Sequence, residues 1–182
     1  MRRLWLSRNL GAIALIALAA CTPQATSQNA QTDSHENGVG LKQVTLNKSA
    51  IKQGQTVYVP VYSYIYHYNN QRHVINLAVT LSVRNTDLKN PIIITAVRYY
   101  DNDGKLIKQY LEKPVELAPL ASTSFFIETN DTRGGLGANF IVDWVAETVV
   151  TEPVIEAVMI GTASTQGISF VSGGRVIQRF KK

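Results

Sequence analysis

Residues 56–68 read TVYVPVYSYIYHY, and this stretch decides the fold class. Val57, Val59, Val61 and Ile65 share one parity; Tyr58, Tyr62, Tyr64, Tyr66 and Tyr68 share the other. Successive side chains on a strand point to opposite faces, so the alternation predicts a strand with an aliphatic face and a tyrosine face. The aliphatic face has the better claim on a core, because it is β-branched and needs no hydrogen-bond partners. The five tyrosines are then a candidate interaction surface, an aromatic row suited to an added partner strand or a stacked sugar ring. The favoured reading is the plainer one, packing against cross-strand neighbours, worth roughly 0.2–1 kcal/mol per pair. Pro60 removes a ladder donor and predicts that the strand is an edge or carries a bulge.

Working outward, the same period-2 pattern recurs. Asn69 to Arg72 reads as a turn, and residues 74–84 alternate again with Leu77, Val79, Leu81 and Val83 on one face. Asn85 to Asn90 breaks the run, and 91–100 is the next strand. Asn102-Asp103-Gly104 is a hairpin signal, and residues 106–111 return from it. Pro114 and Pro119 bracket a connection to a strand over 123–128. A glycine-rich loop, Asn130 to Asn139, precedes a strand over 140–146 in which Phe140, Val142 and Trp144 share a face predicted to be buried. Residues 154–160 favour a strand over a short helix, and weak strands over 168–171 and 175–178 flank Ser172-Gly173-Gly174. Many short strands with frequent turn signals, and no repeat or long amphipathic helix, predict an all-β fold. The expected architecture is a single β-sandwich over residues 41–178, broadly immunoglobulin-like, with a tail at 179–182.

The first 40 residues differ in kind. Arg2, Arg3 and Arg8 precede an unbroken apolar run, Leu10 to Ala20, too short for the roughly 20 residues that span a bilayer. A basic start, a short apolar stretch and small closing residues form a secretory signal over residues 1–20. Its end, Leu18-Ala19-Ala20-Cys21, matches a bacterial lipobox. That resemblance implies cleavage before Cys21 and lipidation of Cys21, with the membrane as partner through the lipid. Two or three acyl chains anchor firmly where one does not. The expected location is the cell envelope. In a host with two membranes, the absence of Asp after Cys21 implies the outer membrane, facing the periplasm. Thr22 to Gly38 is rich in Gln, Asn, Ser and Thr and poor in apolar residues, so residues 21–40 read as a lipidated flexible tether. Cys21 is the single cysteine, so the domain must hold together by packing rather than by an internal disulfide. The signal holds three arginines and no acid, so the formal charge of +5 falls to about +2 without it. No basic run tracks a phosphate backbone, and no nucleic-acid partner is expected.

Four segments carry a family resemblance: Tyr58 to Ser63; Leu81 to Asp87; Val97 to Asp101 with Gly104 to Leu106; and Asp131 with Gly134 to Phe140 and Trp144. Together they resemble the bacterial family catalogued as domain of unknown function 3124. The resemblance implies an exported protein and brings no activity, cofactor or catalytic residue with it.

Each motif that invites chemistry also has a plainer reading. Gly134, Gly135, Gly137 and Asn139 form a candidate ligand-contacting loop. Phosphate loops need a helix after the glycines, and here a strand follows, with Phe140 in place of the last glycine of GxGxxG. Asp101-Asn102-Asp103-Gly104 resembles the start of a calcium loop, with Glu112 at the twelfth position. The glycine is misplaced, however, and the hairpin reading is favoured. His67 and His73 flank one turn but lack the further ligands of a stable zinc site, so no metal is expected. His35 in the tether reads as solvated. Glu112, Glu116, Glu128, Asp131 and Asp143 could include a carboxylate pair, but no GxSxG elbow is present. No catalytic residue and no cofactor is therefore assigned. The leading expectation is a non-enzymatic interaction or accessory module of the envelope, whose partner is an envelope protein or a carbohydrate. The alternatives are an envelope hydrolase using carboxylates near the glycine-rich loop, and a small-ligand or carbohydrate-binding domain.

Overall fold

The computed structural model describes residues 41–68, 70–163 and 166–181. The signal, Cys21 and the tether lie outside the described residues. The described strands are β1 (Lys42–Gln43), β2 (Gln53–Pro60), β3 (Tyr64–His67), β4 (Asn70–Asn76), β5 (Ala78–Arg84), β6 (Ile92–Tyr100), β7 (Leu106–Gln109), β8 (Val115–Leu117), β9 (Ser122–Ile127), β10 (Asn139–Ala146), β11 (Val154–Gly161), β12 (Ile168–Gly173) and β13 (Arg175–Lys181). No described residue is helical.

The strands form an all-β sandwich. One sheet is ordered β1-β8-β6-β10-β2-β13, with β7 also paired to β6; the other is ordered β12-β11-β5-β9. β3 and β4 form a separate hairpin. All pairings are antiparallel. One hydrophobic core fills the space between the sheets. It takes Val57 and Val59 from β2, Val79, Leu81 and Val83 from β5, Phe140, Val142 and Trp144 from β10, and Phe125 from β9. The aliphatic parities read from the sequence are thus the buried ones, and Trp144 is fully buried.

Two predicted strands are each broken in two. The run 56–68 stops at Pro60 and resumes at Tyr64; the run 74–84 is interrupted at Leu77. Both breaks have one cause. The Ser63 N–H donates to Gly135 O at 2.9 Å, and the Leu77 N–H donates to Ser63 O at 2.9 Å. These bonds turn the chain out of the first sheet, let it form the β3–β4 hairpin, and return it to the second sheet as β5.

The expectation that this segment is an edge or carries a bulge is also corrected: β2 is not an edge, and the one register shift in its ladders falls on β13, between Val176 and Gln178. β2 is an interior strand, paired to β10 on one side and β13 on the other. Proline is tolerated because of where it falls. Val61 N donates to Ala138 O beside β10, so the nitrogen of position 60 faces the other way. The β13 ladder there begins only at Tyr58, so no ladder bond is lost.

The far end of the sandwich is closed by Asn85 and Asp87, both buried. Asp87 Oδ1 accepts from the Lys89 and Asn90 amides at 2.9 and 2.8 Å, and Oδ2 from the Thr151 amide at 3.0 Å. The Lys89, Thr151 and Asn90 N–H groups hold the carboxyl down to about 2. A depressed folded-state value means that its stabilisation is present above the unfolded value of roughly 3.9 and is lost as pH falls through the folded one. The melting temperature should therefore drop as pH is lowered from about 4 towards about 2, and Asp87→Asn should flatten that slope. Trp144→Ala should cost about 3–5 kcal/mol, read as a lowered urea midpoint. An unchanged midpoint would contradict its place in the core.

Candidate functional site

The two sheets bring their functional-looking loops to one pole. Pro60, Asn139 and Tyr100 lie side by side at the end of the first sheet. In the second sheet, Ala78 pairs with Ile160, Val79 with Ile127, and Gly161 with Ile168. The Ser63–Leu77 bond and the 128–138 loop join these two ends. The pole therefore gathers the β3–β4 hairpin, the β6–β7 turn and the glycine-rich loop.

Ser63 sits at its centre, fully buried. Its hydroxyl lies 2.8 Å from the Tyr99 hydroxyl, itself buried beneath the loop. Burial raises the Tyr99 phenol above its ordinary value. Gly134 roofs the pair: a Cβ there would lie 1.9 Å from Tyr99 Oη and 2.7 Å from Ser63 Oγ. Gly135 has φ +76°, and a Cβ on it would lie 2.1 Å from Asn102 Oδ1. That same oxygen accepts the Gly137 N–H at 3.2 Å. Among the candidate loop residues, Gly134 and Gly135 are thus buried against Tyr99 and Asn102, Gly137 is bonded to Asn102, and Asn139 opens β10. The glycines are explained by close packing onto the β6–β7 turn. That turn is a hairpin, with Asp101 Oδ1 accepting from the Asp103 and Lys105 amides.

A concavity of about 420 Å³ lies on the β13 side of the first sheet, and one of about 270 Å³ lies at the pole. Lys108, Tyr110, Phe126, Glu128, Asp131 and Arg133 line the second. Arg133 donates to both Asp131 oxygens, from Nε at 2.8 Å and Nη2 at 2.7 Å. That pairing lowers the Asp131 carboxyl below its ordinary range, which favours the ionised form. Tyr110 is pushed well above its usual value by burial and donates to Phe126 O at 2.8 Å. Lys108 Nζ lies 4.2 Å over the Tyr110 ring. General acid catalysis at neutral pH needs a carboxyl held up, towards 6 or 7; Asp131 is held down. Asp143 lies on the outer sheet face, bonded to Thr56 and Arg98.

The five tyrosines are separated. Tyr58 lies on the outer face of the first sheet, opposite Ile141 and Arg175. Tyr62 packs edge-on to Phe170 at 5.8 Å. Tyr64, Tyr66 and Tyr68 share the hairpin, whose Ile65–Ile75 pair packs against the core. Tyr66 pairs with Val74 on its other face and is 48% exposed; Tyr68 is 73% exposed with φ 54°. The ring centroids of His67 and Tyr68 are 3.7 Å apart, and His73 stands edge-on to Tyr68 at 6.0 Å. His73 Nδ1 is 3.0 Å from Asn70 Oδ1. Among the described residues no three His, Cys, Asp or Glu side chains group as a metal site.

Ser63 and Tyr99 were not singled out from the sequence. The signal for Ser63 was available: it stands on the parity of Val57, Val59 and Val61, a lone hydroxyl on an aliphatic face.

A family model described as Protein of unknown function (DUF3124) matches residues 54–177. A comparison with curated proteins gives no match. Among solved structures, the crystal structure of Thermotoga maritima 1070 is similar, with a TM-score of 0.42 and 12% identity over 66% of this chain and 92% of that one.

Gly134→Ala should destabilise the domain strongly. Because much of the clash is with the Tyr99 hydroxyl, the penalty should shrink in a Tyr99→Phe background. Denaturation of the two single variants and the double variant reads this coupling. Strictly additive effects would place the loop elsewhere.

Proposed function

This chain belongs to the DUF3124 family of proteins of unknown function, and we propose that it is a membrane-anchored lipoprotein of the cell envelope acting as a non-enzymatic interaction module. The β3–β4 hairpin is its contact surface. The observation that carries this reading is the hairpin's division of labour. One face, Ile65 and Ile75, packs against the core, while Tyr66 and Tyr68 stand in solvent on a base bonded to the sandwich through Ser63.

Exposed aromatics held on a rigid support are what an interface hot spot requires, because little side-chain freedom remains to be lost on binding. Residues 62–77 contain no acid and include Arg72, His67 and His73. The fitting partner is an envelope protein or a carbohydrate offering acceptor groups around an apolar or sugar surface. The Leu18-Ala19-Ala20-Cys21 motif supports anchoring by lipid on Cys21. In a host with two membranes, Thr22 supports the outer membrane, facing the periplasm.

Cys21→Ala should abolish fatty-acid labelling and release the protein from the membrane fraction; label retained on that variant would overturn the anchor. For the surface, Tyr66→Thr with Tyr68→Asn preserves strand propensity and the positive φ that Asn tolerates. This double variant should melt within a few degrees of wild type and lose its partner in crosslinking within the native host. A folded variant that keeps every crosslink would remove the hairpin from consideration.

A further inference from the structure

An open sheet edge offers unpaired N–H and C=O groups to any passing strand, and folded proteins blunt such edges. Most edges here are blunted. β13 carries Arg175 and Arg179 and bulges between Val176 and Gln178. β1 is only two residues long. β7 is four residues long and carries Lys108. On β9, the Phe126 carbonyl accepts the Tyr110 hydroxyl, and the Tyr110 ring packs edge-on to Phe125 at 5.4 Å.

β12 is not blunted by charge, proline, bulge or a side-chain bond to its backbone among the described residues; Tyr62 packs edge-on to Phe170 on its inner face. The six residues of β12, Ile168–Gly173, read ISFVSG, without charge or proline. Its ladder with β11 runs from Ile168–Gly161 to Gly173–Glu156 with no register shift. It ends the sheet order, and among the described residues no backbone bond covers its outer side. Beside it on the outer face lie Val171, 61% exposed, and Ile160, 46% exposed, with Val158 directly opposite Val171.

We infer that β12 pairs with β12 of a second copy of this chain, antiparallel about a twofold axis, with Val171 opposite its symmetry mate. The register follows from geometry. Residues opposite one another across an antiparallel pair share a face, so the twofold axis must pass at a residue and not between two. The Gly174 N–H donates to Ile155 O at 2.8 Å, continuing the β11 ladder. Alternation then turns the amides of Ile168, Phe170 and Ser172 towards β11, and those of Ser169, Val171 and Gly173 towards the open edge. An axis at Val171 pairs Val171 with itself and Ser169 with Gly173, using every outward amide. An axis at Phe170 would set Gly173 opposite Gly167, beyond the strand. The Val171 register brings no like charges together and merges the Val158, Ile160 and Val171 patches of the two copies. Two β13 strands meeting in the same way would oppose basic residues, so the uncharged edge is the one suited to self-pairing. This inference rests on β12 alone and is independent of the hairpin's proposed role.

The test uses the full-length protein in detergent. Wild type should sediment at about twice the chain mass at tens of micromolar. Val171→Lys, at an exposed position, should sediment as one chain with an unchanged melting temperature. Val171→Cys should form covalent dimers with a short bismaleimide, whereas Ser122→Cys on β9 and wild type, carrying Cys21 alone, should not. The crosslink decides the matter if the lysine variant misfolds. A monomeric wild type, a Val171→Lys protein that stays dimeric, or a Val171→Cys protein that crosslinks no better than Ser122→Cys would each overturn the inference. So would capture of a different protein at Val171→Cys in cells.

Discussion

The hydroxyls of Ser63 and Tyr99 meet at 2.8 Å where water does not reach. A neutral hydrogen bond of this kind is worth only about 1 kcal/mol net, but leaving either hydroxyl unpaired costs about 1–3 kcal/mol. Its main effect is positional. With its side chain fixed to β6, the Ser63 backbone can bond Gly135 on one side and Leu77 on the other. One residue thus ties together the end of β2, the base of the hairpin, the entry to β5 and the glycine-rich loop. Gly134 and Gly135 are the counterpart of this constraint, since a side chain at either would displace Tyr99 or Asn102.

The core was legible where β2, β5 and β10 follow the period-2 rule; β6 changes its buried parity at the bulge, from Ile92 and Ile94 to Val97 and Tyr99. Val57 and Val59 of β2, Val79 and Leu81 of β5, and the Phe140–Val142–Trp144 face of β10 are all buried as their parity implies. The class of fold, the strand after the glycine-rich loop and the Asp101–Gly104 hairpin were legible for the same local reasons. The interruptions at 61–63 and at Leu77 were not, because alternation continues across them: Val61 and Leu77 keep the parity of their neighbours while the chain changes sheets. Period-2 patterning records which side of a residue faces apolar surroundings, not which sheet supplies them. The edge position expected from Pro60 failed for a related reason. Proline excludes one hydrogen bond at one residue, and β13 begins too late to need it.

The candidate surface shows the same division. Five tyrosines in one parity predicted a continuous stripe, and the break at Ser63 divides them into three environments. Tyr58 joins the outer face of the first sheet, Tyr62 packs on Phe170, and only the hairpin tyrosines remain together. The glycine-rich loop, which looked the more chemical of the two features, is used to pack the pole. The aromatic hairpin and the uncharged β12 edge are both exposed. Neither depends on a reactive group, and Asp131, one of the acids lining the concavity at the pole, is paired with Arg133, which lowers its carboxyl below the ordinary range. Both features present exposed surface, which is what the proposed contact role uses.

The Ser63 clamp makes the hairpin base part of the sandwich. Native-state hydrogen exchange tests it most directly, because it reads the opening free energy of each amide separately. The Ser63 and Leu77 amides should exchange only through global unfolding, at the rate of the Val142 amide in β10, while hairpin amides near Tyr68 exchange through local opening. Tyr99→Phe should bring Ser63 and Leu77 selectively towards the hairpin's rate. Ser63 and Leu77 amides that already exchange with the hairpin in the wild-type protein would contradict the clamp.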